Sequence, residues 1–159
     1  MADSDLVLNA ALRLLSYRPR GQEELRRRLL RRFPQEAVEP VLAQLQQQGL
    51  LDDAAFARFW QESRERSRPR SALLVRQELL RLGVDRETAD AAVAGLDDEE
   101  NAYRAGAKLL RSVRAADYEE FRRQLFPRLQ RRGFSPAVIR QATARLWEER
   151  QQAEASLEG

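Results

Sequence analysis

Cysteine and histidine are both missing from the 159 residues of this chain. That excludes disulfides, thiol nucleophiles, imidazole bases and the usual zinc ligands at once. Lysine is almost missing: of 28 basic residues only Lys108 is lysine, and the rest are arginine. Strand signals are lacking, with no alternating Val/Ile/Thr run and no Asn-Gly hairpin. No apolar stretch approaches the ~20 residues needed to cross a bilayer. The start, Met-Ala-Asp-Ser-Asp, is acidic and leads into a helix with Asn9, Arg13 and Arg18, which is no signal peptide. A soluble, cytoplasmic chain without a membrane partner is expected. There is also no glycine-rich phosphate loop, nucleophile elbow or metal-ligand spacing, so neither cofactor nor metal is expected.

What remains is 43% apolar and 33% charged, with a net charge of +3 and a mean hydropathy of -0.64. Such a chain forms one or two compact domains or one elongated array, with much solvated surface. The arginine bias reflects either a GC-rich genome or a need for planar, bidentate contacts to phosphate or carboxylate.

The organising stretch is Gly49-Leu50-Leu51-Asp52-Asp53-Ala54-Ala55-Phe56-Ala57. Gly49 closes a helix in the left-handed conformation, and Leu50 and Leu51 carry the chain across a joint. Asp52 or Asp53 caps the next helix, on which Phe56 and Trp60 share a face.

The periodicity predicts nine helices. The first is capped by Ser4 or Asp5 and runs to about Tyr17, with Leu8, Leu12 and Leu15 on its apolar face and Ala11 and Leu14 nearby. Arg18-Pro19-Arg20-Gly21 breaks it. A second helix, about 22–32, carries Leu25 and Leu29 among arginines. A third, opened by Pro34, carries Val38, Val41, Leu42 and Leu45, with Pro40 in or near its first turn. The fourth, about 53–67, precedes an arginine cluster around Pro69. The fifth starts near Ser71 and stops at Gly83, and Asp85 caps the sixth. A third cycle uses Asp97 to Glu100, Asp117 and Ser135 as starts, and residues 151–159 are expected to fray.

The three cycles superimpose with a period of about fifty residues. Leu25, Val75 and Leu125 match, as do Leu29, Leu79 and Leu129. Gly83 matches Gly133, whereas the first cycle runs Arg32-Phe33 without a glycine. Past that deletion, Val38, Ala89 and Ile139 align, then Leu45, Leu96 and Leu146. The expected fold is all-α: three three-helix repeats, 1–49, 50–96 and 97–150, stacked into an elongated, curved array.

The second helix of each repeat tends to be basic, while Asp85 to Glu100 is acidic apart from Arg86. Equivalent helices on one side of an array would form a positive strip for a polyanion or an acidic protein groove. Phe56, Phe59, Trp60, Phe121 and Phe126 fall at helical spacing, which favours core packing over base stacking. No base-reading pattern of Asn, Gln and Arg stands out. The paired carboxylates Asp52-Asp53 and Asp97 to Glu100 sit at helix starts, where capping accounts for them, so no enzyme is expected.

Gly49-x-Leu51-Asp52-Asp53-x-x-Phe56-Ala57, Arg76-Gln77-Glu78-Leu79 followed by Gly83-Val84, and Glu24-Leu25 through Leu29 to Arg31-Arg32-Phe33 resemble the RecX family of RecA regulators. Two departures are Leu50, where the family often has an aromatic, and the glycine missing before Phe33. The resemblance implies a non-enzymatic, mainly negative modulator. Such proteins bind within the groove of the RecA–single-stranded DNA filament and limit its extension, ATPase and strand exchange. The family motif itself (Gly49, Leu51, Asp52, Asp53, Phe56, Glu78, Leu79 and Gly83) is structural. Charge and repeat position instead nominate Arg26, Arg27, Arg31, Arg70, Arg76, Arg122, Arg123 and Arg131 for contact with the RecA nucleoprotein filament, single-stranded DNA or both. A monomer is the default. The alternatives are a direct nucleic-acid-binding helical-repeat module without a recombinase partner, and a helical scaffold for another acidic protein.

The repeat reading makes Leu79 a core position. Leu79→Arg should unfold the middle repeat, at a cost of about 4 kcal/mol or more, and uncouple its neighbours in a thermal melt. An unchanged cooperative melt would contradict the repeat assignment.

Overall fold

A computed structural model describes residues 2–159; Met1, counted above in the first repeat, lies outside the described residues. The described chain is all-α. Its helices are α1 (Ala2–Tyr17), α2 (Gln22–Leu30), α3 (Gln35–Gln47), α4 (Asp53–Ser67), α5 (Ala72–Arg81), α6 (Arg86–Val93), α7 (Asp98–Leu109), α8 (Tyr118–Arg131) and α9 (Pro136–Glu158), with a 3-10 turn at Leu110–Ser112. No strand occurs among the described residues. In chain order these are three tandem three-helix domains.

The compact units do not follow the sequence repeats. Of the described residues, one comprises 2–62 and 76–92, the other 63–75 and 93–159. Helices α4 and α5 each run from one unit into the other, so the middle repeat is shared.

The first unit's core gathers Val7, Ala11, Leu25, Leu29, Val38, Val41, Leu42, Leu45 and Leu51. Each large aliphatic side chain buried there contributes about 1.5–3 kcal/mol relative to exposure. The buried face of α1 differs from the expected Leu8, Leu12 and Leu15 stripe: Val7 and Ala11 are fully buried and Leu12 is 40% exposed. Small side chains at an i, i+4 pair let α1 approach α2 and α3 closely, and the leucines flank that contact. The helix also starts earlier than the expected Ser4 or Asp5 cap. Asp3 and Asp5 instead lie inside its first turn, where they favour the dipole.

The second unit's core is built from Ala102, Ala105, Leu109, Val113, Phe121, Leu125, Leu129, Phe134, Ile139, Ala142 and Leu146. Gly106 lets α7 lie close against α9, since a Cβ there would stand 2.6 Å from Leu146. The tail expected to fray is the last part of α9, helical to Glu158 and wholly exposed. Gln, Ala, Glu and Leu are good helix formers, and Arg150 pairs with Glu154 at i, i+4 over 3.4 Å. Pro40 lies inside α3, just past its first turn, and Pro127 lies inside α8. Each removes one helical donor.

Two adjacent aspartates divide the work at each joint. Asp52 accepts from the N–H groups of Ala54 (2.9 Å) and Ala55 (3.2 Å), capping its own helix. Asp53 instead reaches back and accepts from the N–H of Gln22 at 2.9 Å, the first residue of α2. In the second unit Asp97 caps α7 through Glu100 N–H at 3.2 Å, and Asp98 accepts from Ala72 N–H at 2.9 Å, the first residue of α5. One carboxylate thus starts a helix while its neighbour satisfies an orphan donor of the preceding repeat's second helix. Helix α8 is capped locally by Asp117.

Glycine placement obeys the same logic. Gly83 ends α5 with φ 87° in a turn where Val84 N–H reaches Leu79 C=O at 3.0 Å. A Cβ there would stand 2.5 Å from Glu23 Cβ. Gly133, with φ 88°, packs in the same manner against Ser71 and Leu74. The glycine absent before Phe33 is the counterpart of these two. The described first repeat offers α2 no earlier second helix to approach, and its turn closes without a left-handed residue.

Asp53→Ala and Asp98→Ala should each cost about 1 kcal/mol. Gly83→Ala, strained and clashing together, should cost about 1–3 kcal/mol. Urea denaturation midpoints measure all three. Midpoints within error of the parent for both aspartate variants would contradict the cross-repeat caps.

Candidate functional site

The joint motif is structural in each of its residues. Gly49 takes φ 74° beyond α3, Leu51 is 4% exposed, and Phe56 is fully buried. The Phe56 ring lies over Gly21, whose hypothetical Cβ would stand 3.2 Å away, and tilts against Trp60 at 6.0 Å. Leu79 is fully buried, Glu78 is half-buried, and Asp52, Asp53 and Gly83 hold the turns described above. Because its carboxylates are spent on caps, the joint forms no acid–base pair. Among the described residues no group of three or more acidic side chains could hold a metal ion.

The arginines fall into two populations. In the first unit Arg26 is a brace: its guanidinium donates to Glu39 at 2.7 and 3.2 Å and also to Glu23. The hydrogen bond from Arg26 lowers the Glu39 carboxyl below its ordinary range, and the same bond raises Arg26. Arg76 repeats the arrangement fifty residues later, donating to Asp90 at 2.5 Å. These two nominated contact residues therefore tie second helices to third helices. Arg27 and Arg28 on α2, and Arg31 and Arg32 in the turn after it, are exposed. Arg18 and Arg20, in the turn before α2, both pair with Glu24. Burial, followed by repulsion from Arg18, lowers Arg20.

In the second unit Arg123 and Arg131 are exposed and Arg122 is half-buried. The brace has no counterpart in the third repeat, where Phe126 and Arg140 occupy its two positions. Arg122, Arg123 and Arg140 line a cavity of about 520 Å³ with Phe126 and Pro127. Arg70 is half-buried at the turn between α4 and α5. That turn is fastened at both ends. Lys108, the one lysine, donates to the carbonyls of Arg66 (2.8 Å) and Ser67 (3.1 Å), and Ser71 N–H donates to Arg132 C=O at 3.0 Å. The turn thereby meets the end of α8, where Arg132 is surrounded by positive charge. Burial and then Arg128, Arg68, Arg70 and Arg131 all lower its pKa.

Arg68, Arg128 and Arg132 stand outside the nominated contacts, and the repeat holds a signal for Arg68 alone. Arg18-Pro19-Arg20 aligns with Arg68-Pro69-Arg70, and Glu24 with Leu74. Of the aromatics, Phe56 and Phe121 are fully buried, while Phe59, Trp60 and Phe126 are half-buried. None of the described helices is long and apolar enough to cross a membrane.

Tandem three-helix domains with packed joints and arginine-rich outer positions define an all-α helical-repeat protein. The models for the first, second and third three-helix domains of RecX match residues 8–45, 52–93 and 97–143. Regulatory protein RecX of Chlorobium limicola is 37% identical over 139 residues, covering 87% of each chain. That of Streptomyces coelicolor is 38% identical, covering 82% of this chain and 74% of its own. Two crystal structures share the fold with TM-scores of 0.74. One is of regulatory protein RecX (24% identity, 89% of this chain and 72% of that one). The other is of RecX from Lactobacillus salivarius (20% identity, 91% and 97%). This chain belongs to the RecX family of regulatory proteins.

Arg26→Glu or Glu39→Arg alone should lower stability by up to about 1 kcal/mol, the range for a partly exposed pair, and the double exchange should restore most of it. Because the Glu39 pKa is lowered on folding, its contribution is present above the ordinary carboxylate range and is lost as pH falls through the depressed value. Glu39→Gln should remove that part of the acid dependence of the melting temperature. A pH profile parallel to that of the parent would contradict the brace.

Proposed function

We propose that this chain regulates the RecA recombinase, mainly as a negative modulator that binds the RecA–single-stranded DNA filament. It limits filament extension, and with it ATPase and strand exchange, acting in the cytoplasm as a monomer without catalysis. The observation that carries the reading is the match of all three RecX domains in chain order.

The distribution of charge supports it. Arginines left exposed on α2 and α8 suit bidentate contacts to carboxylate or phosphate. Arg27, Arg31, Arg70, Arg122, Arg123 and Arg131 are the contacting set, while Arg26 and Arg76 act through the braces that hold their helices. A second reading, a nucleic-acid module with no recombinase partner, is favoured by the arginines gathered around Arg132. Arginine clusters bind phosphodiester backbones whether or not protein is present.

RecA ATP hydrolysis on single-stranded DNA, with this chain titrated in, separates the two. The regulator reading predicts a fall well below one copy per RecA protomer, weakened at least tenfold by Arg27→Glu with Arg123→Glu. No fall at stoichiometric excess, alongside tight and salt-sensitive binding to bare DNA, would replace it with the second reading.

A further inference from the structure

Three positions make up the brace of the first repeat. Arg26 donates to Glu39 at 2.7 and 3.2 Å and to Glu23. The middle repeat keeps Arg76 with Asp90 and has Leu73 at the third position. The third repeat inverts the pattern. Phe126 stands where the arginine was, and Arg140 and Arg123 stand where its two carboxylates were. A cluster balanced within the chain has become a pair of arginines beside an apolar ring.

The inversion borders a cavity of about 520 Å³ between α8 and α9, lined by Glu119, Arg122, Arg123, Phe126, Pro127 and Arg140. Among the described residues no carboxylate pairs with Arg122, Arg123 or Arg140. Glu119, on the same wall, is exposed and joins none of them. A guanidinium fork takes both oxygens of a carboxylate, and an apolar floor beside such a pair excludes water and strengthens it. The cavity thus matches negative charge and apolar surface carried close together. A segment with Asp or Glu next to Leu or Phe offers both. A nucleic-acid strand offers apolar surface only through its bases, whereas Phe126 is half-buried and packed against the unit's core, which favours a floor over a free face for stacking.

We propose that this cavity docks an acidic segment of a partner protein, with Arg123 and Arg140 taking its carboxylates and Phe126 and Pro127 receiving an adjacent apolar side chain. The choice of partner rests on the filament reading, under which the segment belongs to a RecA protomer.

The test is RecA ATP hydrolysis on single-stranded DNA with the full chain titrated in. Phe126→Arg with Arg140→Glu, checked for folding by circular dichroism, rebuilds the first repeat's brace in the third. The site predicts that its half-inhibitory concentration rises about tenfold or more, the scale of a lost charge-assisted contact. Arg140→Glu alone, at an exposed position, should raise it about threefold or more. The control, Arg86→Ala, removes the same net charge as the double variant from an exposed position of the first unit and should stay within about twofold. Affinity of the double variant for a bare labelled oligo-dT strand, read by fluorescence anisotropy, should also stay within about twofold of the parent. Inhibition left intact in both cavity variants would overturn the site and leave the filament reading standing. An equal loss on the bare strand would overturn the choice of a protein segment in favour of nucleic acid. A RecA ATPase that the parent chain does not lower would fail the filament reading itself, and the choice of partner with it.

Discussion

The carboxylate of the second aspartate in each joint is the interaction on which the rest depends. A helix start leaves N–H groups with no partner inside the helix. In a solitary helix a residue just before it supplies the acceptor. Here Asp53 and Asp98 supply it from a later part of the chain to Gln22 and Ala72. The first aspartate of each pair meanwhile starts the helix on which both sit. Two adjacent residues point in different directions on a helix, which makes them poor partners in chemistry and well suited to serving two helix ends at once.

From that constraint the placement of charge follows. The second helices of the first two repeats are held at their starts by joint aspartates and at their sides by Arg26–Glu39 and Arg76–Asp90, and α5 and α8 end in glycine turns where another element comes near. Outside these contacts α2 and α8 carry exposed arginines, Arg27, Arg28, Arg123 and Arg131 among them. In the first unit much of the turn's charge is answered by Glu24. In the second it is concentrated around Arg132. The two compact units, alike in repeat pattern, differ at single positions such as Glu24 against Leu74.

The repeat and the joint were legible in the sequence because both depend on local rules. Apolar residues at helical spacing bury, a left-handed turn takes glycine, and an aspartate before a helix accepts its first donors. Leu25, Leu79, Leu129, Gly83 and Gly133 all sit where that logic places them. Other features needed the partner to be known. Periodicity does not reveal that α1 buries Val7 and Ala11 in place of Leu12, because close approach of two neighbours decides between adjacent stripes. Nor does net charge along α2 reveal that Arg26 faces Glu39, thirteen residues away, so a brace reads in the sequence like a surface arginine. The reach of Asp53 back to Gln22, 31 residues away, is invisible for the same reason. No apolar face marks residues 151–159 as helical, and propensity with one i, i+4 pair suffices for an exposed helix in continuity with a packed one.

The central claim is that a joint aspartate secures the start of the second helix one repeat earlier. Amide hydrogen exchange at Gln22 and Ala72 tests it most directly, in the parent chain and in Asp98→Ala. The account predicts that Ala72 exchanges much faster in the variant while Gln22, held by Asp53, keeps its protection. Equal protection of Ala72 in both chains would show that its N–H does not depend on that carboxylate, and the account would fail.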